Sequence, residues 1–257
     1  MPEVVVFRLA APLGAFGEIA VGERRGSARR PSHSLVTGLI AGALGLPRAD
    51  DGHEAIAAGF HLAVRVEAPG TALADYHTAQ TPPTRRGLRY ATRRAELANR
   101  HALGTVISRR DYRADCAFTL ALWPTGAPGA PAPGRIVAAL AAPAFIPFAG
   151  RRACPLGEPM RPALIDADSV VEALELYDRE TRPARDRLAE AAWWLRAPRH
   201  RRSQPRELAF DAALATVAGV SASHSEIRRD QLVNRARWQF DRRTELVATL
   251  DDPGATP

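Results

Sequence analysis

Two segments of alternating apolar residues constrain the fold of this chain more than any other feature of its sequence. Apolar side chains occupy every second position of residues 60–67 and again of residues 116–122. A repeat of two residues is typical of a β-strand with one buried face. The chain between the two segments is long and basic. We therefore expect an insertion, at about residues 76–113, between the second and third strands of a sheet.

The order of the other elements predicts an α+β fold. A buried strand at residues 4–9 is followed by a helix at residues 35–44, which has serine caps before it and Gly45 after it. A Pro- and Gly-rich connection then leads into a short helix at residues 135–142 and a fourth strand at residues 145–148. This order predicts a ferredoxin-like (RRM-like) domain, in which an antiparallel sheet carries two helices on one face.

The first predicted helix contains two glycines, which are unfavourable inside a helix unless close packing requires them. Gly38 and Gly42 lie four residues apart, and each weakens a helix by up to about 1 kcal/mol relative to alanine. We expect close approach of another segment to that face, the sheet being favoured over a bound phosphate.

A different pattern begins after the fourth predicted strand. Residues 164–180 carry a net charge of −5 and predict a helix whose acidic first turn suits the helix dipole. Residues 188–195 predict a further helical stretch, residues 199–206 an exposed basic loop, and the remainder further strands. We therefore divide the chain into a ferredoxin-like domain at residues 1–160 and a smaller C-terminal helical and strand extension at residues 161–257.

Positive charge is concentrated in the insertion. The chain has a net charge of +7 and contains no lysine, and residues 85–113 alone carry nine arginines against Glu96 and Asp111. Arginine presents a planar fork of donors that matches phosphate. The block is either a nucleic-acid footprint or a solvated surface loop, and charge alone leaves both open.

Composition excludes several functional classes. The only cysteines, Cys116 and Cys154, are too few for a disulfide framework and lack the spacing of a zinc site. The opening stretch has no basic region typical of a signal peptide, and the longest apolar run, residues 136–149, is too short for a membrane span and contains prolines. We expect a cytoplasmic protein with no membrane partner, no metal and no cofactor.

Arginines and flat side chains are interleaved along the chain, as single-stranded RNA binding requires. Several candidates have a structural explanation as an alternative to RNA contact. Tyr112 is equally well explained by a half-buried position in a strand, and Tyr76 by a position in the core. Arg109, Arg110 and Arg113 are alternatively paired with a neighbouring aspartate, and Arg151 and Arg152 alternatively lie in a solvated turn. The candidate RNA-binding residues are Arg24, Arg25, Arg29, Ser32 and His33 before the first helix, Tyr76, His77, Arg85, Arg86 and Arg89 in the insertion, Arg109, Arg110, Tyr112 and Arg113 at its base, and Arg151 and Arg152 after the fourth strand.

Five segments carry a more specific signal. They are FRLAAPLGAFGEIAVGERRGSARRPSHSLVTGLIAGALG at residues 7–45, ADYHT at 74–78, ISRRDYRADCAF at 107–118, AGRRACPLGEP at 149–159 and RRDQLVNRARWQFDRR at 228–243. In this order they resemble the E-subtype branch of the Cas-five family, which belongs to type I-E CRISPR Cascade and to the repeat-associated RNA-binding (RAMP) superfamily. The chain departs from the family pattern at Ser32 and His33, where threonine and lysine are usual, and at Phe16, where tryptophan is common.

The resemblance implies a fold and a task. The family fold is a ferredoxin-like domain with a β-hairpin thumb inserted before the third strand. The family holds the 5′ handle of mature CRISPR RNA (crRNA) at one end of the Cascade complex, touching the backbone subunit (CasC) and the large subunit (CasA), and meets target DNA through the complex. Such a subunit is a cap and not an enzyme, and it needs no cofactor.

Two other functions stay open from the residues. The first is metal-independent cleavage of CRISPR repeat RNA, for which His33, Tyr76 and His77 are the candidate acid and base. The absence of lysine, of a metal motif and of a Walker loop weighs against it, and neighbours such as Tyr76 and His77 point to opposite faces of a strand. The second is a protein-only adaptor whose arginines dock on acidic neighbours.

Overall fold

All eight strands in the described part of the chain belong to one sheet. A computed structural model describes residues 1–18, 20, 22–84, 87, 89–191 and 206–250, with backbone alone at residues 185–191. The strands are β1 (Glu3–Gly14), β2 (Arg24–Arg25), β3 (Phe60–Thr81), β4 (Gly104–Pro124), β5 (Ala163–Asp166), β6 (Arg206–Asp211), β7 (His224–Asn234) and β8 (Gln239–Leu250), and the helices are α1 (His33–Ala43), α2 (Gly52–Gly59), α3 (Arg93–Glu96), α4 (Pro133–Ala141) and α5 (Val170–Ala191). The strand order is β5-β1-β4-β3-β6-β8-β7, with β2 attached to β4.

The sheet is antiparallel, as predicted, except where β2 runs parallel to β4. Strands β1, β3 and β4 contain the three strands predicted first. The fourth prediction, at residues 145–148, is wrong, because the chain there is irregular and pairs only through an isolated bridge between Phe148 and Pro155. Pro147 has no backbone N–H to donate to a neighbouring strand. The edge beside β1, where a fourth strand would pair, is occupied by β5. Strand β5 lies just beyond residue 160, and the division of the chain there stays a prediction.

Strands β3 and β4 form a hairpin that is longer than the rest of the sheet. Their pairing continues to Thr81 opposite Gly104. In contrast, β1 pairs with β4 only as far as Arg113, and β6 pairs with β3 only as far as Val66. Among the described strands, β2 is therefore the only neighbour of the outer hairpin, and most of the β3 side chains in this hairpin are exposed. Residues 76–113 comprise the outer parts of both strands and the connection that contains α3.

Helices cover both faces of the sheet. Phe7 and Leu9 of β1 pack in a core with α1, α2 and α4, so the two predicted helices lie on one face. Val4 and Val6, which point the other way, pack with α5. The helix predicted at residues 164–180 begins only at Val170, because β5 occupies residues 163–166.

The α5 face buries a charged cluster centred on Arg65, which is only 2% exposed. Its Nε donates to Glu67 Oε1 at 2.6 Å and its Nη2 donates to Asp178 Oδ1 at 2.9 Å. Burial alone raises the pKa of Glu67, but Arg65 and the hydroxyl of Thr119 outweigh it and lower that pKa to about 2. The prediction of one buried face for residues 60–67 is therefore wrong, since the second face is buried as well.

Helix α1 (His33–Ala43) starts two residues before the predicted range of 35–44, and its cap is one of the predicted serines. The Ser32 Oγ caps it by accepting from the Leu35 N–H at 3.2 Å, and Gly45 follows the helix at φ +77°. The expected close approach at Gly38 and Gly42 is wrong, because a Cβ at either position would meet nothing within 4 Å. The helix predicted at residues 188–195 and most of the loop predicted at residues 199–206 lie outside the described residues.

Candidate nucleic-acid interface

One face of the β2–β4–β3 ladder carries a row of three candidate residues. Arg24 lies opposite Arg109, and Arg109 lies opposite Tyr76. Residues directly opposite in neighbouring strands point to the same face. The side chains of Arg24 and Arg109 are 70% and 63% exposed, and Tyr76 is 65% exposed. An exposed ring beside two guanidinium groups is suited to a base and its flanking phosphates.

Asp111 orders the two arginines of this row. Its Oδ2 accepts from Nε and Nη2 of Arg24, at 3.1 and 2.9 Å, and its Oδ1 lies 3.7 Å from Nε of Arg109. Exposed ion pairs contribute only about 0–1 kcal/mol to stability. One carboxylate between two guanidinium groups leaves one net positive charge, so Asp111 positions both arginines while the group remains cationic.

The opposite face of the same ladder carries a second row. Arg25 lies opposite Arg110, and Arg110 lies opposite Asp75. The Nε of Arg110 donates to the Ser108 hydroxyl at 3.3 Å, and the carboxylate of Asp75 contacts the imidazole of His77, its neighbour on that face. Both faces carry two arginines and one aspartate, so they differ in exposure. On this face Arg110 and His77 are half-buried, whereas the first row presents the exposed ring of Tyr76, which makes the first row the better candidate for binding RNA.

Arg151 connects β2 to β4 through hydrogen bonds to the backbone of both strands. Its Nη1 donates to the carbonyl of Asp111 at 3.2 Å, and its Nη2 donates to the carbonyl of Arg25 at 3.1 Å. Its guanidinium also lies 4.6 Å from the ring centroid of Tyr112, which is buried. The structure therefore places Arg151 and Tyr112 under the interface and not on it, because the ring stacks on a guanidinium of the protein.

The remaining predicted arginines differ in their surroundings. Arg113 donates from Nε to the carbonyl of Ala28 at 3.3 Å. Arg29, Arg89 and Arg152 are exposed. Arg85 and Arg86 lie outside the described residues.

Ser32 and His33 lie away from this surface. Both are buried, Ser32 as the cap of α1. The Nε2 of His33 lies 3.3 Å from the carbonyl oxygen of Phe60. Burial lowers the pKa of His33, and the nearby Arg243 lowers it further, so its imidazole is neutral at pH 7. The structure does not offer either side chain for direct contact with RNA.

The residues considered for cleavage do not form a site. Tyr76 and His77 are consecutive in β3 and point to opposite faces, as expected. His33 lies beside Phe60, at the far end of the same strand. An acid and a base that act on one bond have to flank it, and this arrangement separates the three groups.

The described residues contain no cluster of metal-ligating side chains. Both cysteines are free and buried, and burial raises the pKa of Cys116 to about 11, which makes it a poor nucleophile. Across the described part of the chain, no helix combines the length and the apolar character needed to cross a membrane.

Two features of the interface escape sequence reasoning. Strand β2 has only two residues, too few to show a periodicity, yet it brings Arg24 beside Arg109. The sequence offers Asp111 as one alternative partner of the arginines near it, whereas in the structure it also binds Arg24. A lone carboxylate among the arginines of residues 109–113 is the only signal that pointed to it.

The fold and this surface define a class of protein: a mixed α/β chain whose antiparallel sheet extends into a two-stranded hairpin with a basic base. A family model described as CRISPR-associated protein (Cas_Cas5) matches residues 4–244. The chain therefore belongs to this Cas5 family of CRISPR-associated proteins.

Individual relatives agree with this assignment. The chain is 29% identical over 191 residues to the CRISPR system Cascade subunit CasD of Escherichia coli (strain K12), which covers 69% of this chain and 78% of that protein. It also shares its fold with a chain of a solved CRISPR RNA-guided surveillance complex, with a TM-score of 0.60, 23% identity and coverage of 98% and 91% of the two chains. A crystal structure of a Cas protein superposes with a TM-score of 0.61, at 19% identity and with coverage of 97% and 95%.

Proposed function

We propose that this chain is a non-catalytic subunit of a type I-E Cascade complex that binds and caps the 5′ handle of crRNA. Membership of the Cas5 family and similarity to a CasD subunit support the assignment to Cascade. The observation that carries RNA binding is the exposed row of Arg24, Arg109 and Tyr76 on the β2–β4–β3 ladder. In this complex we expect CasC and CasA as neighbours, target DNA as a partner of the assembly, and a cytoplasmic location.

The topology supports a ferredoxin-like core with a thumb. Among β1, β3, β4 and β5, the spatial order β5-β1-β4-β3 places the fourth strand beside the first and the third between the first and second. Helices α1 and α4 follow the first and third of these strands and share a core. We interpret the outer β3–β4 hairpin, at about residues 76–113, as the thumb, and the row as lying at its base.

The test is to co-express the tagged chain with the products of its neighbouring operon genes and a repeat array. The RNA recovered from the purified complex is measured, and its 5′ ends are sequenced. Arg24→Ala with Arg109→Ala is expected to lower the RNA recovered per complex and its resistance to salt, since each lost phosphate contact reduces the salt slope by about 0.7 for a single strand. Tyr76→Ala is expected to weaken retention through the lost stacking, about 1–3 kcal/mol per base.

A matched pair controls for charge. Arg135→Ala with Arg179→Ala removes two exposed arginines on α4 and α5, away from the hairpin. Equal RNA content in the two double variants would remove the row from the proposed interface. A third variant, His77→Ala, tests catalysis: uniform 5′ ends that do not change support a cap, whereas loss of trimming would make the chain a ribonuclease. A complex purified without RNA would favour the adaptor function.

A further inference from the structure

A second cationic site lies at the turn between β7 and β8. The ring of Trp238 is flanked by two guanidinium groups: that of Arg48, from the connection between α1 and α2, lies 4.4 Å from the ring centroid, and that of Arg235 lies 4.0 Å from it. Trp238 is 46% exposed. An indole that most proteins would bury is thus held at the surface between two charges.

The arrangement is fixed by hydrogen bonds from both segments. The Nε of Arg235 donates to the carbonyl of Arg48 at 2.8 Å, and the backbone N–H of Arg235 donates to Glu54 Oε1 of α2 at 2.7 Å. The N–H of Arg237 donates to the side chain of Asn234 at 2.8 Å, which closes the turn. These bonds hold the guanidinium of Arg235 and the backbone of Arg48 in place before any ligand binds, and the guanidinium of Arg48 is positioned by its stacking on the ring of Trp238.

Neither guanidinium forms an ion pair with a carboxylate of the described residues, and Glu54 binds only the backbone N–H of Arg235. Within the described part of the chain, no carboxylate lies within 4.0 Å of the guanidinium of Arg48 or Arg235. Burial and the neighbouring charge of Arg48 both lower the pKa of Arg235, which marks like charges held together. The Nη donors of Arg235 and the whole guanidinium of Arg48 make no hydrogen bond to the described residues, and a guanidinium stacked on a ring keeps its N–H edge free for an anion.

The same hairpin carries further positive charge. Arg237 follows in the turn, and the exposed Arg229 and Arg242 lie on the strands behind it. This number of arginines on and beside one hairpin, two of them stacked on Trp238, matches a run of phosphates better than a single small anion.

The site is separate from the row at the base of the thumb. The β7–β8 turn packs on α2, which leads directly into Phe60 at the start of β3. Tyr76 lies 16 residues further along that continuous strand, which is about 50 Å along its length at ~3.3 Å per residue. One phosphate group therefore does not touch both sites.

We propose that Arg48, Arg235 and Trp238 form a second nucleic-acid contact that binds the phosphodiester backbone without reading its sequence. The contact is independent of handle capping. Its ligand is either crRNA or duplex DNA, which share this backbone chemistry.

The test uses the full chain and two fluorescent probes, an oligouridylate and a mixed-sequence DNA duplex, with affinity measured by anisotropy over a range of KCl concentrations. Arg48→Ala with Arg235→Ala is expected to flatten the plot of log K against log salt by about 1.4 on RNA or about 1.8 on the duplex, for two lost phosphate contacts. The probe that shows the loss identifies the ligand. Arg135→Ala with Arg179→Ala removes the same charge elsewhere and is expected to change the slope far less.

Variants at Trp238 test whether the arrangement of the arginines matters in addition to their charge. Trp238→Leu keeps every arginine but removes the ring that orders them, and is expected to weaken binding several-fold, whereas Trp238→Phe restores most of it. Thermal melting of each variant checks the fold, and the Trp238 pair keeps the test valid if the double arginine variant is unstable.

The two sites are distinguished by adding Arg24→Ala with Arg109→Ala. Because the sites are far apart, the losses in log K are expected to add. A loss from Arg48→Ala with Arg235→Ala but none from the thumb pair would leave this contact standing and remove the capping interface. Equal losses in that variant and its matched control, or no binding of either probe by the wild-type chain, would overturn the second contact.

Discussion

At the scale of single residues, arginine plays two physically different parts in this chain, and burial decides which. Arg65 and Arg243 are enclosed and paired with several carboxylates, which raise the pKa of each guanidinium despite burial. Arg24 and Arg109 are exposed, with only Asp111 between them. A buried pair that loses one partner leaves an uncompensated charge in a medium of low dielectric. An exposed arginine has no such penalty and is free to bind phosphate.

Glu67→Gln is the residue-level test of the buried cluster. We expect it to lower the free energy of unfolding by about 3 kcal/mol, because Arg65 would keep Asp178 but lose its second carboxylate. Urea denaturation measures the change. Glu96→Gln breaks the exposed pair with Arg93 and is expected to shift stability by no more than about 0.5 kcal/mol. Similar midpoints for the two variants would mean that Arg65 is solvated.

At the scale of elements, space and backbone conformation decide what each glycine does. Gly38 lies on the exposed side of α1, with nothing within 4 Å of its missing Cβ. Gly150 has φ +89°, and a Cβ there would lie 1.8 Å from the carbonyl oxygen of Ala15. The turn at Gly150 positions Arg151, which joins β2 to β4. The first glycine is dispensable and the second is required.

Gly38→Ala is expected to stabilise the chain by about 0.5–1 kcal/mol, since alanine is the better helix former. Gly150→Ala is expected to destabilise it by about 2 kcal/mol or more, since alanine is strained at this φ and meets backbone. Thermal melting of both variants measures the difference. A lower melting temperature for Gly38→Ala would show that its face contacts something that the described residues do not include.

At the scale of the whole molecule, buried ion pairs connect the segment before α1 to the strands β6, β7 and β8. Arg30, just before α1, pairs with Glu207 of β6, Glu226 of β7 and Glu245 of β8. The three C-terminal strands are therefore tied to the segment that leads into α1, and the β7–β8 turn rests on α2. These links are ionic, so the stability of the molecule depends on pH.

Stability is expected to fall as the pH is lowered. The pKa of His33 is lowered from 6.5 in the folded chain, so the loss begins below that value. The pKa of Glu67 is lowered from 4.5 to about 2, and the stability that its ionised form contributes, about 3 kcal/mol, is present above pH 4.5 and is lost between pH 4.5 and 2. Urea midpoints measured over this range check the sign. The loss below pH 4.5 is expected to shrink in Glu67→Gln, and an unchanged profile in that variant would contradict the assignment.

The sequence by itself determined the local elements. The period of two in residues 60–67 and 116–122 and the cap at Ser32 specify backbone conformation within a few residues, and the structure confirms both strands and α1. The basic character of residues 85–113 is also visible in the sequence, because these arginines are close together along the chain. Local pattern is enough wherever the interacting groups are neighbours along the chain.

Only the tertiary structure decided which distant segments meet. Strand β5 occupies the edge beside β1, where residues 145–148 were expected, and α5 covers Arg65. Strand β2 brings Arg24 next to Arg109, and the β7–β8 turn brings Trp238 next to Arg48. An arginine has the same charge whether it is enclosed by carboxylates or faces solvent, so its sequence position does not reveal its role. Burial does, and burial is a property of contacts between segments that are far apart along the chain.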